Sequence, residues 1–512
     1  MSRPSSLALL LTRLFRLLAG PSQKFLLNVS SNTQAKDQMK DITEDVLYSS
    51  VGRLSAMIRQ RQMTSLALTQ AYLERLEKLG PKLGAVVTIT RELALEQARK
   101  ADAEIKAGHY KGPLHGIPYG IKDLAATKGI PTTWGAEPYR DQVFDYDATI
   151  VTRFRTAGAV LVAKLAMVEL AGGFGYNNSD ASFTGPGRTP WNTDFWSGGS
   201  SSGPGAATSA GLVAFSVGSE TSGSIITPSA FCGLSGLRPT YGRISRHGAM
   251  ALCWTLDKLG PMCRSAEDCA LVLSAAAGHD PLDPSTGKTP FTYAFRAARS
   301  APSGKNFKIG VIKGSADKAQ PQVKKNFEES VKVLAQFASI EEAVEFPDMP
   351  FGQVVGVIVA AEGASAFRDL VESGRSSQLR AVNDRWGGYS ATMTLAVDYL
   401  QAMRIRGPMK REMDKLYSRY DALVAPSRDT VSYPIGVDFN KAYPGIGGGP
   451  PVIAAGNAVG QPALSVPNGF GDNGLPTGIQ FTGRAWSEAK LIAIANAYQE
   501  ATGWHKKRPR LD

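Results

Sequence analysis

Apolar positions recur along this chain with two alternating periods. Behind Thr64-Ser65, residues Leu66, Tyr72, Leu73, Leu76 and Leu79 fall at helical spacing, and Thr64-Ser65 is a natural cap for that helix. AVVTIT (85–90) then reads as a short strand. RELALEQARKADAEIKAG (91–108) returns to the helical period and stops at Gly108. In GIPYGIKDL the residues Ile117, Tyr119 and Ile121 alternate, which predicts a strand leading into Lys122. AVLVAKL (159–165) and LVAFSVGSET (212–221) are continuous apolar runs of the kind buried on both faces of a sheet. KIGVI, DALVAPS, PALSVPNGF and GIQFTG add further strands, with helices expected over 322–337 and 487–502. Strands alternating with helices predict a layered α/β architecture.

The same pattern sets the boundaries. Folded structure is expected from Ile42 to about residue 505, with an N-terminal extension at 1–41 and a basic tail at 506–512. HDPLDPSTGKTP (279–290) reads as a surface loop, because strand patterns of the same kind resume after it. The extension places Leu7, Leu10, Leu11, Leu14, Leu17 and Leu18 on one helical stripe, interrupted by Arg13 and Arg16. It is too short and too charged to span a bilayer. Over residues 1–36 its basic, acid-free, amphipathic composition is that of a transit peptide, a mitochondrial or plastid address. An interfacial helix and a disordered tail are the alternatives, and the location is cytoplasmic or organellar. No other segment reads as transmembrane.

The net charge of +12 sits largely at the two ends, in Arg3, Arg13, Arg16, Lys24 and Lys36 and in the tail from His505 to Arg510. No basic stripe interleaved with aromatics lies between them. The charge is therefore read as solvated termini, with no nucleic-acid partner. Cys232, Cys253, Cys263 and Cys269 lack C-x-x-C spacing and a paired histidine. They read as buried thiols, and neither metal nor organic cofactor is expected.

Several motifs are decoys. GSSSG (199–203) matches the G-x-S-x-G nucleophile elbow, but the histidines downstream are only His247, His279 and His505, none in an evident catalytic loop. SADK (315–318) lacks the S-D-N and K-T-G partners of its family. GKT at 287 lacks the glycine five residues earlier that a phosphate loop requires, since residue 282 is Leu. The sequons at Asn28 and Asn177 matter only in a secreted chain.

One ordered set remains: Lys122 in GPLHGIPYGIKDL, the glycine-serine run SGGSSSGPGAATSAG (197–211), and GSETSGSIITP (218–228) with its continuation to Gly248. Together with GAVLVAKLAMVELA and GQPALSVPNGFGDNGLPTGIQFTGR they resemble the amidase signature family over roughly residues 50–505. The resemblance implies a single large α/β/α layered domain with a central mixed twisted sheet, acting on a small-molecule amide. It carries the family's lysine base to Lys122 and its cis-bonded bridging serine to Ser200. The acylated nucleophile falls on Ser224, and the oxyanion hole on the backbone N–H groups of Thr221, Ser222, Gly223 and Ser224. The residue chemistry agrees with that carry-over. An alcohol needs a base in contact, a lysine serves only when neutral, and a hydroxyl can accept one proton while donating another.

The chain departs from the family's usual Asp-x-Gly-Gly-Ser-Ile-Arg: Glu220 replaces the Asp, Ser222 a Gly and Ile226 the Arg, and Ser202 stands where Gly is common. Losing the Arg weakens the case for a charged acyl group. Gly172, Gly173 and Phe174 in AGGFGYNN are the expected acyl-pocket residues, which would make an uncharged, partly apolar site. Three functions stay open: a stand-alone hydrolase of amides, esters or carbamates; the glutaminase component of a tRNA-dependent amidotransferase; and a non-catalytic amidase-like receptor. A homodimer is the one self-association considered.

Overall fold

The computed structural model describes residues 42–294, 306–446 and 451–511. The transit-peptide reading of 1–41 lies outside them. Among the described residues eleven strands join one sheet: β1 Val86–Ile89, β2 Pro118–Lys122, β3 Val160–Leu165, β4 Phe215–Glu220, β5 Ser235–Arg238, β6 Lys258–Cys263, β7 Phe307–Ile312, β8 Ala338–Val344, β9 Ala422–Pro426, β10 Ala463–Phe470 and β11 Pro476–Thr482. Their spatial order is β1-β3-β2-β4-β6-β5-β10-β11-β9-β7-β8. The sheet is mixed. β2 runs parallel to both β3 and β4, and β7 parallel to β8 and β9, while the strands between them pair antiparallel.

Helices flank the sheet, so β2, β3, β4 and β6 are buried along their whole length. The helix Ser65–Leu79 starts where Thr64 accepts the amide of Ala67, and it buries Leu68, Tyr72, Leu73, Leu76 and Leu79. Leu73, Leu76 and Leu79 pack with Val160, Val162 and Leu165 of β3 in one apolar cluster. Tyr119 of β2 stacks on Phe215 of β4 at 5.3 Å between ring centroids, which fixes two neighbouring strands side by side.

The basic tail departs from the solvated reading. Arg508 pairs with Asp45 at 2.6 Å, Pro509 is buried, and Leu511 packs against the cluster on β3. Among the described residues no helix is long and apolar enough to cross a membrane.

Candidate active site

Lys122 closes β2, and the alternation that forms this strand carries the side chain into the core, where it is 1% exposed. Its Nζ donates to Ser200 Oγ and to Ser219 Oγ, each at 2.8 Å. Among the described residues no carboxylate touches it. Burial pushes the amine down to about 7, opposed only by the more distant charges of Asp257 and Glu220. A neighbouring lysine has a different setting. Lys164 on β3 is also fully buried and also lowered by burial, but it contacts Asp123 Oδ1 at 2.9 Å and Thr132 Oγ1 at 2.7 Å. Among the described residues Lys122 is thus the buried amine that has only hydroxyl partners.

Ser200 lies in the glycine-serine loop just before the helix Ser202–Ser209, and the Gly199–Ser200 peptide is cis. Gly203 opens that helix where there is no room for a side chain, since a Cβ there would lie 2.4 Å from Ala166 N and from Ala85 O. Ser201, the central serine of the decoy elbow, ties the loop to β4. Its hydroxyl donates to Ser219 O at 3.1 Å and accepts Ser219 N at 3.2 Å.

Ser224 sits in the turn from β4 into the helix Ile226–Cys232 and is 8% exposed. Gly223 supplies the positive φ of +91° that this turn needs. Among the described residues the backbone amides of Ser222, Gly223 and Ser224 have no protein acceptor, so these donors remain free beside the serine. Ser201 N donates to Ser224 O at 3.3 Å, which holds the two loops together. Among the described residues the Ser224 hydroxyl makes no hydrogen bond to Ser200 Oγ.

Glu220 anchors the turn. Its Oε2 accepts Ile225 N at 2.9 Å and Ile226 N at 3.0 Å, and its Oε1 accepts Arg238 Nη1 and Asn457 Nδ2, both at 2.9 Å. Burial alone would raise this carboxyl, but the Arg238 guanidinium and these hydrogen bonds outweigh it and hold it near 2. Glu220 and Arg238 are both fully buried.

Ser224 opens onto a cavity of about 600 Å³. Ser222, Gly199 and Thr227 line it near the serine, and Tyr176, Trp196, Tyr433, Phe439 and Tyr443 form an aromatic wall. Phe439 stacks on Trp196 at 4.8 Å and leans on Tyr433 at 4.8 Å. Gly172, Gly173 and Phe174 do not line this cavity. Phe174 packs edge-on against Phe367 and its amide donates to Asp384, and the space beside Gly172 is filled by the ring of Tyr176. Only Tyr176, two residues further on, reaches the cavity from that stretch. Arg428 brings a cation to the wall of this cavity, whereas the sequence pointed to an uncharged site. Ser219, Arg428 and the aromatic wall escaped the sequence reading. Ser219 could have been found from its place inside the nucleophile motif, whereas the others lie far from any motif. Among the described residues no group of three or more His, Cys, Asp or Glu side chains could hold a metal ion, and all four cysteines are free and buried.

A buried amine on a serine hydroxyl, next to a serine with free amides, is the arrangement that serine-based acyl transfer requires. The Amidase family model matches residues 67–492, and the chain belongs to the amidase signature family, whose members act on amide C–N bonds. It is 35% identical to a glutamyl-tRNA(Gln) amidotransferase subunit of Moorella thermoacetica, over 91% of this chain and 99% of that one. The corresponding protein of Dehalococcoides mccartyi is also 35% identical, over 91% and 100%. Among solved structures, the peptide amidase of Stenotrophomonas maltophilia superposes with a TM-score of 0.80 at 31% identity, covering 91% of this chain and 99% of that one.

Proposed function

We propose that this chain is a stand-alone serine amidase in which Ser224 is the nucleophile, Ser200 the proton bridge and Lys122 the base. The observation that carries the reading is the Lys122 amine, buried, bonded among the described residues only to Ser200 and Ser219, and lowered to about 7. A neutral Nζ accepts the proton of Ser200 while Ser200 accepts that of Ser224. The Ser224 oxygen adds to the amide carbonyl, and the amides of Thr221 to Ser224 receive the negative charge on the carbonyl oxygen. The proton then returns along the same path to the leaving nitrogen as the C–N bond breaks. Water, deprotonated through Ser200, adds to the acyl-Ser224 ester and releases the acid. The link from Ser200 to Ser224 closes when substrate fills the cavity.

A second reading is favoured by the identity to amidotransferase components: glutamine hydrolysis that delivers ammonia to a partner protein. Ile226 in place of the family's Arg, and the likeness to a peptide amidase, favour the stand-alone reading. One experiment separates them. The purified chain is offered aryl amides and glutamine, with Ser224→Ala as control and intact-mass detection of an acyl-enzyme. Turnover of aryl amides by the chain alone, with an adduct on Ser224, is the expected result. Activity on glutamine alone, and only with an added partner, overturns it.

A further inference from the structure

We propose that the cavity at Ser224 takes an amide that also carries a carboxylate, and that Arg428 is the residue that selects it. The inference rests on the amidase reading of the same site and names its substrate class.

Arg428 lies two residues past the end of β9, on the stretch that leads to the aromatic wall. Of the described residues lining the cavity it alone is charged, because no Asp, Glu, Lys or His joins it there. Its Nε is closed off from solvent, yet among the described residues it has no hydrogen-bond acceptor, and no carboxylate forms an ion pair with the guanidinium. Arg428 is half-buried, and the buried guanidiniums are held differently: Arg238 Nη2 and Arg264 Nε also lack an acceptor among the described residues, but each of those groups is bound through its other nitrogens. Arg238 holds Glu220 at 2.9 Å, Arg243 holds Glu488 at 2.7 Å, and Arg264 is bonded to the carbonyls of Thr208, Val213 and Ser49. Buried donors are ordinarily satisfied, so a guanidinium facing a cavity without an acceptor marks the place of a ligand's anion.

The rest of the cavity agrees. The Arg428 charge reaches the phenol of Tyr176 on the aromatic wall, so its field acts within the cavity. A planar fork of N–H donors matches a carboxylate in two-point contact. Around it the rings of Trp196, Tyr433, Phe439 and Tyr443 suit a flat apolar body between the carboxylate and the amide. Position 226, where the family motif carries Arg beside the nucleophile, is Ile226 and fully buried here. A cation is therefore supplied to the site from a different part of the chain. In the reaction the carboxylate is a handle only: water and the amide give the acid and the free amine or ammonia, and the handle leaves unchanged.

The test uses benzamide, 4-carboxybenzamide and 4-(aminomethyl)benzamide, matched in shape and differing in charge. Binding to the Ser224→Ala chain is measured by calorimetry, and turnover is measured on the intact chain. The carboxylated probe is expected to bind about ten- to a hundredfold tighter than benzamide, the worth of a charge-assisted contact. Adding Arg428→Gln should bring that ratio to about one, Arg428→Lys should keep part of it, and Arg428→Glu should turn the preference toward the aminomethyl probe. Equal binding of the first two probes, no binding of either, or a preference that survives Arg428→Gln overturns the proposal. The two readings fail separately. Carboxylate-selective binding without turnover of any amide removes the amidase reading and leaves the subsite, and turnover without selective binding does the reverse.

Discussion

The two sides of the cavity are built differently. The side that holds Lys122, Ser200 and Ser224 comes from strand ends and tight turns, packed with small residues and tied by buried polar bonds such as the Glu220–Arg238 pair. The opposite side, from Tyr176, Trp196 and the stretch Arg428 to Tyr443, is aromatic and loop-borne. Residues on the first side are positioned by the sheet itself, where a shift of one group disturbs several strands. Those on the second are positioned mainly by one another. On the proposed reading the division separates chemistry from selection: the rigid half would do the same work on any acyl group, and the aromatic half would decide which acyl group arrives.

Removing the reacting oxygen should affect the first side most. Ser224→Ala is expected to lower kcat for an aryl amide by about 10⁴–10⁶ with an unchanged melting temperature, because that hydroxyl holds nothing else in place. A variant within tenfold of the parent chain would break the division at its centre. Lys122→Ala comes next, with a loss of about three or more orders of magnitude. The pH profile sharpens it. On the proposed reading the working form is the neutral amine, so kcat/KM should rise with pH through about 7 and then level off. Lys258 is also held near 7 by burial and by the Arg238 charge, and it donates to Leu256 O. The inflection should therefore persist in Lys258→Met and vanish from the residual activity of Lys122→Ala.

Glu220→Gln tests what holds the first side rigid. It leaves the Arg238 guanidinium buried without a charge partner, and unfolding should be easier by about 3–5 kcal/mol. The sign of the acid response follows from the same group. Its native carboxyl is held near 2, below the ordinary value of 4.5, so its stabilisation is complete above 4.5 and is lost as pH falls through that window. Acid melting curves of parent and variant should converge toward pH 2. The smallest effect belongs to the second side. Phe439→Ala removes one ring of the wall and should raise KM for aryl amides about fivefold with kcat nearly unchanged, measured by steady-state kinetics. A larger fall in kcat than in kcat/KM selectivity among amides would mean that the wall also positions the reacting groups.

The same division governs what could be read from the residues alone. The Lys122 strand was legible because Ile117, Tyr119 and Ile121 alternate, and the Ser224 turn because its small residues come in a fixed order after an apolar run. β6 was missed. Pro261 interrupts LysLeuGlyProMetCys, and a proline argues against a central strand, although here it pairs with Val217 of β4 in the middle of the sheet. β5 is only four residues and contains Gly236 and Arg238, and β8 lies at the sheet edge with a polar pattern. The cavity wall was illegible for another reason. Tyr176, Trp196, Arg428 and Phe439 meet only through the fold, and local periodicity carries no information about side chains that distant segments bring together. Placing the acyl pocket at Gly172, Gly173 and Phe174 relied on nearness along the chain, and Phe174 belongs instead to the packing against Phe367.

Glu220 gathers partners from three distant parts of the polypeptide: the turn at Ile225, Arg238 on β5, and Asn457 in the helix Val452–Val459. During synthesis the reactive serine leaves the ribosome more than two hundred residues ahead of the asparagine that helps hold its turn. On the proposed assignment an incomplete nascent chain would carry Lys122, Ser200 and Ser224 before the Asn457 contact to Glu220 can form. Refolding followed by turnover should then lag behind refolding followed by helical signal.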